Sequence, residues 1–74
     1  MLKVKVTHVV DVQQEYPNVF KQGESKYYYY CEGTKGGLYK LIEYKNGHKA
    51  LFRAKDMQPI RNYGTALRLN YLVN

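Results

Sequence analysis

Two groups of residues in this 74-residue chain have side chains that could do chemistry. The first is the thiol and imidazole set, Cys31, His8 and His48. Metal sites use such ligands at short, repeated spacings, and these three lie far apart in the sequence, so no metal site is expected. Cys31 sits inside KYYYYCE with no helix N-terminus or basic run to lower its pKa, which reads as a small buried residue rather than a nucleophile. His8 falls on the apolar side of an alternating segment and reads as a core histidine, whereas His48 follows a turn and reads as solvated. Asp11 and Glu15 are close in sequence but offer no acid–base spacing. The glycines of GTKGG at 33–37 suggest a phosphate cradle, but a strand follows them instead of the helix whose N-terminus would supply donors. No nucleophile elbow, P-loop or metal motif is present. The expectation is a protein that is not an enzyme and needs no cofactor.

The second group is lysine and arginine interleaved with tyrosine. Twelve Lys and Arg face six Asp and Glu, a net charge of +6, and nine residues are tyrosine. The positive excess favours polyanions or acidic protein surfaces. Tyrosine suits both half-buried strands and binding surfaces. Lys40, Lys49 and Arg53 flank Asn46-Gly47, the pair preferred in a two-residue type I′ hairpin turn. That turn would set Lys40 opposite Arg53, Ile42 opposite Leu51 and Tyr39 opposite Ala54. One face would then carry Tyr39, Leu41, Ala50, Phe52 and Ala54 as core. The other would carry Lys40, Lys49 and Arg53 among Ile42, Leu51 and Tyr44. Two like charges directly opposed across a sheet call for an anion or a carboxylate between them.

The elements that must hold these residues follow from period-2 alternation. Residues 2–12 form a long strand with Leu2, Val4, Val6, His8, Val10 and Val12 on one face and Lys3, Lys5, Thr7, Val9 and Asp11 on the other. Residues 13–25 read as a long loop that returns Val19 or Phe20 to the core. Residues 26–32 form a strand with Tyr27, Tyr29 and Cys31 facing one way and Tyr28 and Tyr30 the other. A hairpin spans 38–53, a turn covers Lys55 to Met57, and an extended piece follows at Pro59-Ile60. Leu67, Leu69, Tyr71 and Val73 alternate along a last strand. The expected core joins Val4, Val6, Leu41, Phe52 and Leu69.

The segment GHKALFRAKDMQPI resembles the end of a small SH3-like barrel, a likeness that covers residues 38–60 and names no family. It implies Gly47 as the hairpin glycine, Phe52 as the inward aromatic, Lys55 to Met57 as a single 3₁₀ turn and Pro59-Ile60 as the closing strand. The expected fold class is therefore all-β: one domain over 1–74, either such a barrel or a curved antiparallel sheet of five to six strands. No stretch is apolar enough to span a membrane and the start has no hydrophobic leader, so with its lone thiol the chain reads as cytoplasmic. A homodimer is open to a domain this small.

Barrels of this kind bind nucleic acid and protein alike. The first expectation is a weakly sequence-specific DNA- or RNA-binding domain. In it Lys40, Lys49 and Arg53 contact phosphates, Lys3 and Lys5 extend the contact, and Tyr44 with Tyr28 or Tyr30 stacks on bases. The alternative is an accessory or inhibitor protein of a phage or mobile element that covers an acidic surface of a host protein complex.

Overall fold

The computed structural model describes residues 2–61. They form an all-β unit with two short helices, and five strands pair in the order β1-β2-β3-β4-β5 in one open antiparallel sheet. The strands are β1 (Val4–Asp11), β2 (Ser25–Gly33), β3 (Leu38–Tyr44), β4 (Lys49–Arg53) and β5 (Pro59–Ile60). The expected strand at the C-terminal tail, with Leu69, lies outside the described residues.

The segment expected as a loop holds the helices α1 (Val12–Glu15) and α2 (Pro17–Gln22). Their local causes are plain. The Asp11 carboxylate accepts the N–H groups of Gln13 (3.0 Å) and Gln14 (3.3 Å), capping α1. Pro17 opens α2 at its first position, where no N–H is needed. Val12 is fully buried, and α1 packs on β1 and β2. Lys45 ties α2 to the far hairpin: its N–H donates to Glu24 O, and its ammonium donates to Phe20 O and lies 4.1 Å from the Phe20 ring centroid.

Two local features decide which side each residue faces. The first is the β3–β4 turn. Only Gly47 has positive φ (+89°); Asn46 does not, and its side-chain oxygen accepts the N–H of His48 at 2.9 Å. Gly47 N–H donates to Tyr44 O, and Tyr44 N–H donates to His48 O. The result is a three-residue loop, Lys45-Asn46-Gly47, in place of the type I′ turn. The register therefore moves by one residue: Tyr39 pairs with Arg53, Lys40 with Phe52, Leu41 with Leu51, Ile42 with Ala50 and Glu43 with Lys49. A one-residue shift reverses the faces of β4. Leu51, not Phe52, joins the core, and Lys40 no longer opposes Arg53. The observed register sets opposite charges, Glu43 and Lys49, across from each other and apolar Leu41 against Leu51, both favourable pairings.

The second feature is an irregularity in β1 between Val6 and His8. Val6 pairs with Cys31 and His8 with Tyr30, so Thr7 is the extra residue; its hydroxyl donates to Tyr30 O at 3.0 Å. Val4 and Val6 thus share the face of Cys31, while His8 and Val10 share the face of Tyr30 and Tyr28. His8 is accordingly exposed and not a core histidine.

The core face unites Val4, Tyr29, Cys31, Leu41 and Leu51, with Leu2, Val6, Tyr27, Tyr39 and Ile60 packed against it. Leu41 and Leu51 are each 1% exposed. At the turn end of β2, Gly33 N–H donates to Gly37 O. A Cβ on Gly33 would meet Gly36 O at 2.5 Å and the Tyr39 ring at 3.0 Å, so only glycine fits there. Where a 3₁₀ turn was expected, Met57 N–H instead closes a wider turn onto Arg53 O, and Met57 itself has φ +57°.

Leu51→Ala should lose about 2–5 kcal/mol of unfolding free energy in urea titration, the loss of a fully buried leucine. Gly47→Ala should cost about 1–3 kcal/mol by the same measurement, because alanine resists positive φ. An intact type I′ turn would instead make Phe52→Ala the costlier of the two core changes.

Candidate functional site

The sheet surface opposite the core carries most of the residues expected to bind. Cross-strand pairing puts His8, Tyr30, Lys40 and Phe52 in one row across four strands, and Val10, Tyr28, Ile42 and Ala50 in the next. Ser25 pairs with Tyr44, which adds Tyr44 to this surface. Lys5, paired with Glu32, extends it at the other end. Only Val10 of these is buried. Tyr28, Lys40, Ile42, Tyr44, Ala50 and Phe52 are half-buried, and Tyr30 is 39% exposed. Tyr30 is therefore the more open of the two candidate stacking tyrosines.

Aromatic rings organise this surface. The Lys40 ammonium lies 4.2 Å from the Tyr28 ring centroid and 5.7 Å from that of Tyr30. Such contacts orient a lysine and leave its remaining N–H donors available to an anion. The His8 and Tyr30 rings lie 5.9 Å apart, and the Tyr44 and His48 rings 6.3 Å apart. Sequence reasoning placed Lys40, Tyr28, Tyr30 and Tyr44 as candidates, and they do share one side. It missed His8, His48 and Phe52, whose positions depend on the Thr7 bulge and the Gly47 turn.

The remaining basic candidates are elsewhere. Arg53 belongs to the core side of the register and grips Asp56 with two bonds, Nε at 3.0 Å and Nη2 at 2.6 Å. That bidentate contact raises the Arg53 pKa and holds the Asp56 carboxyl below its usual range. Lys49 lies opposite Glu43 on the same side as Arg53. The common face of Lys40, Lys49 and Arg53 is thus dissolved by the one-residue register shift. Lys3 precedes β1, where its carbonyl accepts the Thr34 N–H at 3.1 Å.

That last bond also bears on the GTKGG loop. Gly33, Thr34 and Gly36 all spend their N–H groups within the protein, on Gly37, Lys3 and Gly33 carbonyls respectively. A phosphate cradle needs such groups converging on the ligand. The loop is a turn.

On the core side, Tyr29 donates its phenol to the Glu43 carboxylate at 2.8 Å. Burial, with that bond to Glu43, raises the Tyr29 pKa well above the ordinary phenol value. Cys31 is 2% exposed, and burial pushes its thiol up to about 11 against a smaller opposing effect of the Leu41 backbone. Neither group is poised for nucleophilic or acid–base work near neutral pH. Among the described residues no cluster of three metal-ligating side chains occurs, and no helix is long and apolar enough to cross a membrane. No protein-family model, no curated protein and no solved structure matches this chain.

The raised thiol pKa has a signed consequence for stability. The folded state holds the Cys31 proton more tightly than the unfolded chain, whose thiol titrates near 9.0. Stability from the neutral thiol is whole below pH 9 and is lost as pH climbs through about 11. Urea midpoints measured across that window should fall for the native protein and fall less for Cys31→Ala.

Proposed function

We propose that this protein is a small non-catalytic nucleic-acid-binding domain whose contact surface is the sheet face of Lys40, Tyr28, Tyr30, Tyr44 and Phe52. The observation that carries this reading is the position of the Lys40 ammonium, 4.2 Å and 5.7 Å from two tyrosine ring centroids on an open sheet surface. Binding to a sugar-phosphate chain combines a cation for the backbone with aromatic faces for the bases. Here both come from adjacent positions of paired strands. The net charge of +6 supplies the long-range attraction that such a ligand answers. Lys5 lies at one end of the same surface and extends the positive path.

Among the described residues the two helices are of four and six residues, too short to fill a major groove and read base edges, so discrimination between sequences is weak. The phosphate contacts divide unequally among the basic residues. Lys40 and Lys5 belong to the binding surface; Arg53, committed to Asp56, and Lys49, on the opposite side, do not.

The test is fluorescence anisotropy with labelled oligonucleotides across a salt series. Lys40→Ala should weaken binding for all sequences alike and lower the magnitude of the log–log salt slope by about 0.7–0.9. Arg53→Ala and Lys49→Ala should leave both quantities close to native. Absence of binding at low salt, together with capture of a defined acidic protein, would replace this reading with that of a cover for an acidic protein surface.

A further inference from the structure

Both histidines of the chain lie beside tyrosines of this one face, at well-separated places. His8 on β1 faces Tyr30 on β2, with rings 5.9 Å apart and tilted by 34°. Tyr44 and His48 flank the β3–β4 turn, with rings 6.3 Å apart and tilted by 30°. Lys40, the direct partner of Tyr30, lies on β3 between the pairs. From Lys40 to Tyr44 runs one stretch of β3, about 13 Å at the usual strand rise, and the two pairs are further offset across the sheet by about 5 Å per strand.

On this basis, which rests on the nucleic-acid reading above, we propose that the ligand is a single strand, bound at two separate stacking points. One base lies on the Tyr30–His8 pair and another on the Tyr44–His48 pair, and the connecting backbone passes Lys40. The chemistry favours an unpaired strand. Three of these four rings, those of His8, Tyr30 and His48, belong to exposed residues and Tyr44 is half-buried, whereas in a duplex each base face is already covered by its neighbours. A splayed strand presents base faces together with a flexible backbone. Two ring pairs separated in this way need several nucleotides to bridge them. A dinucleotide reaches only one pair at a time.

The experiment is a length series of fluorescein-labelled oligothymidylate, from two to twelve nucleotides, with a duplex of equal phosphate number as competitor. Affinity should climb with length until both pairs are bridged and then level off, and the duplex should compete poorly. Tyr30→Ala should weaken the long oligomer by about 5- to 150-fold, the loss of one stacked base. Tyr44→Leu, which keeps apolar bulk in a half-buried position, should do the same. On the dinucleotide either change alone should cost no more than about twofold, since one equivalent pair remains. Equal affinity for duplex and single strand, a length dependence with no break, or sensitivity to only one of the two tyrosines would overturn the two-point single strand and leave nucleic-acid binding standing. Absence of binding to every nucleic acid would overturn both.

Discussion

The register of the β3–β4 pair is the constraint on which the rest of this protein depends. Because side chains alternate, a turn of three residues sends Leu51 and a turn of two sends Phe52 to the same side of the sheet. Gly47 at φ +89° and the Asn46 oxygen on the His48 N–H select the three-residue form. Leu51 then completes the core with Leu41, and Phe52 comes to lie beside Lys40 on the outer face. The residues of the core and those of the outer face are therefore two outcomes of one local choice.

Strand β1 shows the same economy. Its first half lends Val4 and Val6 to the core side, and its second half lends His8 and Val10 to the other. A regular strand would have carried His8 inward, onto the face of Cys31 and Tyr29. The single extra residue at Thr7, held by its hydroxyl on Tyr30 O, turns His8 outward and places an imidazole next to a tyrosine ring. On the core side the polar functions that are buried are answered, as with Tyr29 on Glu43.

Alternation and turn residues in the sequence were enough to locate the five described strands, the β class, the shared face of Tyr27, Tyr29 and Cys31 and the burial of Cys31. They also singled out Lys40, Tyr28, Tyr30 and Tyr44. What they could not convey was phase. Asn-Gly is compatible with two turn geometries that differ by one residue, and nothing in VKVTHVVD marks Thr7 as surplus, because a threonine suits a regular strand equally well. Each ambiguity inverts a face, which is why Phe52, Arg53, Lys49 and His8 were expected on the wrong side. The helices at 12–22 were hidden for another reason. They are too short for a helical period to show, and only Asp11 before VQQE and Pro17 hint at them.

The simple order β1-β2-β3-β4-β5 has a kinetic corollary. Every strand pairs with its neighbour in sequence, so no long segment must be threaded before contacts form. The β3–β4 connection closes over residues 45–48 and the β2–β3 connection over 34–37, the shortest spans in the sheet. Only residues 12–24 make a wide closure, and α1 and α2 shorten it by coiling the chain. For a β protein this is a topology of local contacts, which lowers the entropy lost before the first stabilising pairs appear. The turn that decides the faces thus closes one of the two shortest loops in the sheet, so the pairing that sorts core from outer face is also among the least costly in chain entropy.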